Sequence, residues 1–263
     1  MKKIFSKFKY YIKKIKVIFS LKYVYFNLHM YSLTEKIPRK LYKDSRISFS
    51  QQGEDLILSR LIHVIKEFEY MKFEGGNFVD AGCYHPIDSN TTFLLYLSNW
   101  KGVNIDISPE SIELFNNYRK NDINLNAAIG DVDKDSILVN EQNKKIRLTN
   151  SLLATSPKDS AKYSIPQISL ENIFTNYLNN KVDYLNIDIE GFEIKALKGI
   201  DFDKCRPKII SIEIHSQDVK TALNSEIANF LYSHNYKCVA VSQITYFFIE
   251  NYIKLQIPNA LQK

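Results

Sequence analysis

The sequence predicts an α/β protein built on a doubly wound, mostly parallel sheet with one antiparallel strand near the C-terminus. Three observations carry this. Short apolar runs of strand length alternate with amphipathic stretches of helix length from Ser50 onward, the pattern of βα units that build a parallel sheet. Several of these runs stop on an acid, at Asp80, Asp106, Asp188 and Glu213. The last two runs, Tyr236–Val241 and Tyr246–Ile249, lie too close for a helix to cross between them, so they must pair antiparallel through a tight hairpin.

Residues 2–22 read as a basic amphipathic helix. Ile4, Phe8, Tyr11, Ile12, Ile15, Ile18 and Phe19 recur at three- and four-residue steps, with lysines on the other side. Lysines interrupt every apolar run, which excludes a signal peptide and a span. The stripe could lie on an anionic membrane surface, or pack on the domain or on a second copy of the chain as a homodimer contact; both readings stay open. Ser50–Phe68 is a predicted helix with Ser50 as N-cap. Strand 1 is Phe78–Asp80, followed by a helix near Thr91–Leu97. Strand 2 is Gly102–Asp106, and Ser108-Pro109 opens the next helix with serine as cap and proline at the first helical position. Strand 3 is Ile123–Ile129. Residues 131–167 are rich in lysine, asparagine and serine and read as an insertion, with a hairpin around Ile137–Leu148. A short strand at Ile168–Leu170 and a helix at Glu171–Leu178 follow. Val182–Ile187 is strand 4, Phe192–Lys198 a helix stopped by Gly199, Lys208–Glu213 strand 5 and Thr221–Ser233 a helix.

Residues 1–34 hold eight lysines and no acid, while the whole chain carries a net charge of +6, so the remainder sums to −2. The body of the protein is therefore no nucleic-acid binder by bulk charge. Three cysteines, Cys83, Cys205 and Cys238, are widely spaced. They form neither a zinc pattern nor a disulfide framework and fit reduced thiols in the cytoplasm.

Parallel strands bring their carboxyl ends to one rim, where open α/β sheets bind ligands. Asp80, Asp106, Asp188 with Glu190, and Glu213 with His215 all fall there. Asp106, at the end of strand 2, is placed to accept from both hydroxyls of a ribose diol. The turn after strand 1 runs Gly82-Cys83-Tyr84-His85-Pro86 and lacks the glycines that a pyrophosphate needs for backbone approach. This argues against NAD and for a nucleoside ligand without phosphates.

Ser50-Gln51-Gln52-Gly53-Glu54-Asp55, Phe78-Val79-Asp80-Ala81-Gly82 with His85-Pro86, Ser89-Asn90-Thr91, and Asp183 through Glu193 resemble, in this order, the motifs of the FkbM family of S-adenosylmethionine-dependent methyltransferases. Many of these are O-methyltransferases acting on sugars or natural products. The resemblance runs from about Ser48 to about Ile214. It implies a Rossmann-like methyltransferase sheet, a methyltransferase domain over residues 46–257 between an extension (1–45) and a tail (258–263), and S-adenosylmethionine as cofactor. It further implies that Asp80 and Gly82 lie against the methionine and ribose of that cofactor and that Asp106 holds the ribose hydroxyls. Ala127-Ala128-Ile129 would flank the adenine. Ser50, Gln52, Glu54 and Asp55 would close over cofactor or acceptor, and Asp188 and Glu190 match the family's acidic motif. Glycan or small-molecule hydroxyls are the expected acceptors, with polysaccharide biosynthesis as the setting and the cytoplasm as the place; peripheral contact with the inner membrane face through residues 2–22 stays open. A nucleic-acid methyltransferase and a non-enzymatic cofactor-binding protein are the alternatives.

Methyl transfer to a hydroxyl calls for a base. His215 has a suitable intrinsic pKa. Asp188 and Glu190 could instead act directly, or hold a divalent ion for which an oxygen-only set would suit magnesium or calcium. No metal ligand is assigned. His85 reads as structural.

Overall fold

The structure is a computed structural model that describes residues 47–65, 75–140 and 162–253. The amphipathic stretch 2–22, the extension 1–45, the tail 258–263 and the end of the Ile137–Leu148 hairpin lie outside the described residues. Among the described residues no helix is long and apolar enough to cross a membrane.

In chain order the elements are α1 (Glu54–Val64), β1 (Asn77–Ala81), α2 (Phe93–Leu97), β2 (Lys101–Asp106), α3 (Pro109–Tyr118), β3 (Ile123–Asn126), β4 (Ala128–Gly130), β5 (Lys134–Asn140), β6 (Lys162–Ser169), α4 (Leu170–Leu178), β7 (Tyr184–Ile187), α5 (Glu193–Lys198), β8 (Ile209–Glu213), α6 (Val219–Ala222), α7 (Glu226–Ser233), β9 (Tyr236–Ser242) and β10 (Thr245–Glu250). Among the described residues the main sheet has seven strands in the order β3-β2-β1-β7-β8-β10-β9. All neighbours are parallel except β10, which runs antiparallel to both β8 and β9. The expected α/β architecture and its single reversed strand are both present. The winding direction changes between β1 and β7, so the switch-point crevice opens above those two strands.

Each face of the sheet follows from strand alternation. Val79, Ala81, Val103, Ile105, Leu185, Ile187, Ile210 and Ile212 point to one face and pack under α4, α5 and α7 in the larger core. Phe78, Tyr184, Ile209, Phe247 and Ile249 point to the other, where Leu58, Leu61 and Ile62 of α1 cover them together with Leu95 and Trp100.

Four local expectations need correction. The first helix begins at Glu54 behind Gly53, whose φ of +87° turns the chain, and among the described residues no side chain caps it. Ser50 bonds Asp55 instead. Strand 3 breaks at Ala127. Its first half stays in the main sheet and Ala128–Gly130 joins a separate three-stranded sheet of order β4-β6-β5, so the insertion carries a sheet of its own. The strand expected at Ile168–Leu170 is longer, Lys162–Ser169. The helix expected over Thr221–Ser233 is two helices, because Ser225 starts α7 as a new N-cap by accepting from the Ala228 amide.

Candidate active site

A row of polar side chains crosses the sheet at one level. Asn124, Asn104, Asp80, Asn186 and Ser211 are register partners on five adjacent strands. Asn104 donates to Asn124 at 2.9 Å, Asn186 to Asp80 at 2.9 Å and Ser211 to Asn186 at 2.6 Å. Two residues on, alternation returns the chain to the same face, and there stand Asp106, Gly82, Asp188 and Glu213. A buried polar ladder thus underlies a rim that is acidic on three strands and bare at Gly82.

Above this rim lies a cavity of about 800 Å³. Among the described residues seven carboxylates line it (Glu54, Asp80, Asp106, Glu110, Asp188, Glu190 and Glu213), and none of the lining residues is lysine or arginine. Ile107, Leu114, Ala127 and Ile129 supply an apolar wall on the β2–β3 side.

Asp80 is 1% exposed. Its Oδ1 accepts from Asn186, and its Oδ2 from Asn90 Nδ2 at 3.2 Å and Thr92 Oγ1 at 2.9 Å. It therefore faces the protein's own donors as much as the cavity. Gly82 has φ +84°, and a Cβ there would meet the Asp188 carbonyl oxygen at 1.7 Å. Backbone-to-backbone approach of β1 to β7 demands this glycine, and Gly82 also lines the cavity.

Asp106 clamps two loops. Its Oδ2 accepts from the Tyr84 amide at 2.9 Å and its Oδ1 from the Ser108 amide at 2.7 Å. Burial raises its pKa and the two amides oppose that rise. Each oxygen keeps lone-pair capacity for a further donor. His85 Nδ1 accepts from the Asp88 amide at 2.9 Å and the Ile87 amide at 3.3 Å. Burial lowers its pKa. With Nδ1 accepting, the neutral ring carries its proton on Nε2 and has no free lone pair to serve as a base.

At the end of β7 the chain takes two left-handed residues, Glu190 (φ +53°) and Gly191 (φ +96°). Glu193, buried at the start of α5, accepts from the amides of Gly191 at 3.0 Å and Ile189 at 3.3 Å and so fixes this turn. Glu190 itself points into the cavity lining, and among the described residues no hydrogen bond engages its carboxylate. Asp188 is pushed up to about 8 by burial, then by Glu213, Glu190, Glu193 and Asp80. Burial raises Glu213 as well, while a hydrogen bond from Asp188 and the neighbouring His215 oppose the rise. Two carboxyls in one site cannot both ionise cheaply, so Asp188 and Glu213 share a proton. His215 Nε2 lies 3.5 Å from Glu213 Oε2, with its side chain 60% exposed.

The Methyltransferase FkbM domain matches residues 80–238, more than half of the sequence. The chain belongs to the FkbM methyltransferase family. It is an S-adenosylmethionine-dependent methyltransferase. Among solved structures of similar fold, a putative rRNA-methylase from Clostridium thermocellum has 14% identity over 78% of this chain and 97% of its own, at a TM-score of 0.41. A precorrin-6y C5,15-methyltransferase from Geobacter metallireducens has 12% identity over 78% and 90%, at 0.40. The 1,6-didemethyltoxoflavin-N1-methyltransferase of Burkholderia thailandensis, with S-adenosylhomocysteine bound, has 10% identity over 84% and 88%, at 0.36. No curated protein matches the chain.

In this FkbM-family methyltransferase the cavity gathers Glu54, Asp80, Gly82, Asp106, Asp188, Glu190 and His215 from five separate segments. Two residues expected there stand outside it. The Ala128 side chain is buried with Val139 and Ile165 under the second sheet, because the chain leaves the main sheet at Ala127; its neighbours Ala127 and Ile129 face the cavity. Gln52 turns away and Gln51 lines the wall in its place. The Gln52 carbonyl accepts from Ser242, which ties the loop to the β9–β10 hairpin, and its buried Oε1 has no partner among the described residues. Ser50 and Asp55 serve the same loop: Asp55 accepts from Ser48, Ser50 and the Phe49 amide. Glu213 was visible at its strand end without being singled out; its repeat of the pattern Asn-x-Asp, Asn-x-Asp, Ser-x-Glu at the ends of β2, β7 and β8 is the signal that finds it. Among the described residues no group of three or more His, Cys, Asp or Glu side chains is disposed to hold a metal ion.

Proposed function

We propose that this methyltransferase transfers the methyl group of S-adenosylmethionine to a hydroxyl of a sugar in a surface glycan or glycoconjugate. The observation that carries the reading is the composition of the cavity wall: seven carboxylates, no described lysine or arginine, and Phe192 beside Glu190. Carboxylates accept from vicinal hydroxyls, and an aromatic face suits the apolar side of a sugar ring. A phosphate-bearing nucleic acid would meet repulsion there.

The cavity fits the cofactor. About 800 Å³ is ample for a ligand of that size. Asp106 would hold the ribose hydroxyls with its remaining lone pairs, and Ile107, Leu114, Ala127 and Ile129 would flank the adenine. The acidic lining suits a ligand of net positive charge. When bound, S-adenosylmethionine supplies an electrophilic methyl group on a sulfonium centre. Everything else falls to the chain's own residues. They must hold the acceptor oxygen in line, which is worth several kcal/mol through orientation alone (about 7 or more). They must also receive its proton. The Asp188–Glu213 pair is the base, since a group titrating near the working pH is best matched to that task. Glu190 orients the acceptor, and the exposed His215 connects Glu213 to solvent. Mass spectrometry of surface glycans from cells with and without the protein tests the acceptor class. A single missing methyl on a sugar supports it, and unchanged glycans alongside hypomethylated RNA would overturn it.

A further inference from the structure

Arg119 follows the last turn of α3 and is completely buried. Its guanidinium donates to the Pro86 carbonyl at 2.9 Å, Thr92 Oγ1 at 2.8 Å, Asn90 Oδ1 at 2.6 Å and Asn104 Oδ1 at 3.4 Å. Asp122 stands 3.8 Å away. The rings of Phe93, Tyr96 and Phe115, with centroids 5.1 to 5.7 Å from the guanidinium carbon, close the pocket around it.

These partners join pieces that the sequence presents as separate motifs. Asn90 and Thr92 lie at and just past Ser89-Asn90-Thr91, and both bond Asp80 at the end of β1. Thr92 has a single hydroxyl proton. Asn90 Oδ1 already accepts from Arg119 and from the Thr92 amide, so the Asp80 carboxylate takes it. Arg119 therefore reaches Asp80 through Thr92, and on its other side it fixes Pro86 in the loop that carries Tyr84 and His85 along the cavity wall. Burying a guanidinium is costly. A core that needed only packing is as stable or more so with apolar side chains in its place, so the fork geometry is what this position supplies.

We propose that Arg119 is a positioning residue for cofactor binding, acting through Thr92 and Asn90 on Asp80 and through Pro86 on the loop from Cys83 to Thr92. A lysine cannot replace it, because one ammonium donates from a single point and cannot span Pro86, Asn90 and Thr92 together. The proposal rests on the reading of this cavity as the cofactor site.

The test uses the full chain and S-adenosylhomocysteine as probe, with binding followed by calorimetry at low temperature and folding by thermal denaturation. Thr92→Val is the deciding variant. It is close in shape and leaves Arg119 in place while removing the relay to Asp80. Thr92→Val and Arg119→Lys are each expected to bind the probe at least about tenfold more weakly while remaining folded. Wild-type affinity in a folded Thr92→Val, with only its melting temperature lowered, overturns the proposal, because a purely structural network moves stability alone. Failure of Thr92→Val to fold overturns it too. A wild-type protein that shows no binding of the probe would instead refute the cofactor reading, before any variant is made.

Discussion

Gly82 and Asp188 meet backbone to backbone at the switch point: a Cβ on Gly82 would lie 1.7 Å from the Asp188 carbonyl oxygen. The Asp188 amide in turn donates to the Ala81 carbonyl at 2.9 Å. The end of β1 and the turn carrying the proton-sharing acid are thus one rigid joint. Gly82→Ala adds a methyl group where backbone already stands and forces an L-residue to φ +84°. Overpacking and the left-handed conformation together cost about 2–5 kcal/mol. At about 2–4 °C per kcal/mol for a domain of this size, thermal denaturation should show a fall of roughly 5–20 °C. Titration of S-adenosylhomocysteine should show binding weakened with it. An unchanged melting temperature would mean that the joint yields.

Asp106 has two duties, and its variants separate poorly for a physical reason. Asp106→Ala frees the Tyr84 and Ser108 amides and removes the diol acceptor. Loss of charge-assisted hydrogen bonds of about 1.5–3 kcal/mol corresponds to roughly ten- to a hundredfold weaker cofactor binding. Asp106→Asn is expected to cost nearly as much, because its amide NH₂ must face a backbone N–H on one side or the other. Calorimetry showing wild-type affinity in either variant would move the ribose contact elsewhere.

Strand ends were the most legible feature of the sequence. Asp80, Asp106, Asp188 and Glu213 fall at the rim because apolar strand cores and βα alternation leave them nowhere else. Their roles were less legible. Asp80 lies at the predicted place, yet its donors come from residues 90, 92 and 186, and pairing across 106 residues leaves no local trace. Arg119 follows Asn-Asn-Tyr at a polar helix end, where a buried cation and a solvated one read alike. The break of strand 3 at Ala127 depends on β6, some 40 residues on. The Ala128 side chain leaves the cavity wall for that reason: a one-residue change of course sends it to the other layer.

The N-terminal lysines give a prediction that concerns the sequence alone. Residues 2–22 pair an apolar stripe with lysines, and we infer that they bind anionic lipid reversibly. Deletion of residues 1–34 should leave cofactor affinity intact, since every described cavity residue lies after Ser50. Sedimentation with phosphatidylserine vesicles should show capture of the full chain that fades as salt rises, because the lysine attraction is screened. Capture that ignores salt, or deletion that unfolds the domain, would make the stretch a packing element, on its own domain or on a second copy.

The Asp188–Glu213 pair predicts opposite pH trends for stability and rate. Asp188 is raised to about 8 in the folded protein from 3.8 when unfolded, by burial and by Glu213, Glu190, Glu193 and Asp80. Between those values the native state binds the extra proton, so the contribution to stability is greatest below about pH 4 and is lost as pH rises toward 8. Urea denaturation across that window should show a decline that flattens in Asp188→Asn. The rate should run the other way. The pair is a competent base once its shared proton has left, so methyl transfer should climb to a plateau above about pH 8, and Asp188→Asn should lower it by roughly 10²–10⁴ while the protein stays folded. His215 decides between two bases. It lies 3.5 Å from Glu213, at the exposed edge of the pair, so His215→Ala should leave the plateau within about tenfold. A loss of 10²–10⁴ at every pH in His215→Ala would instead make the histidine the base, with the carboxyl pair holding it in place.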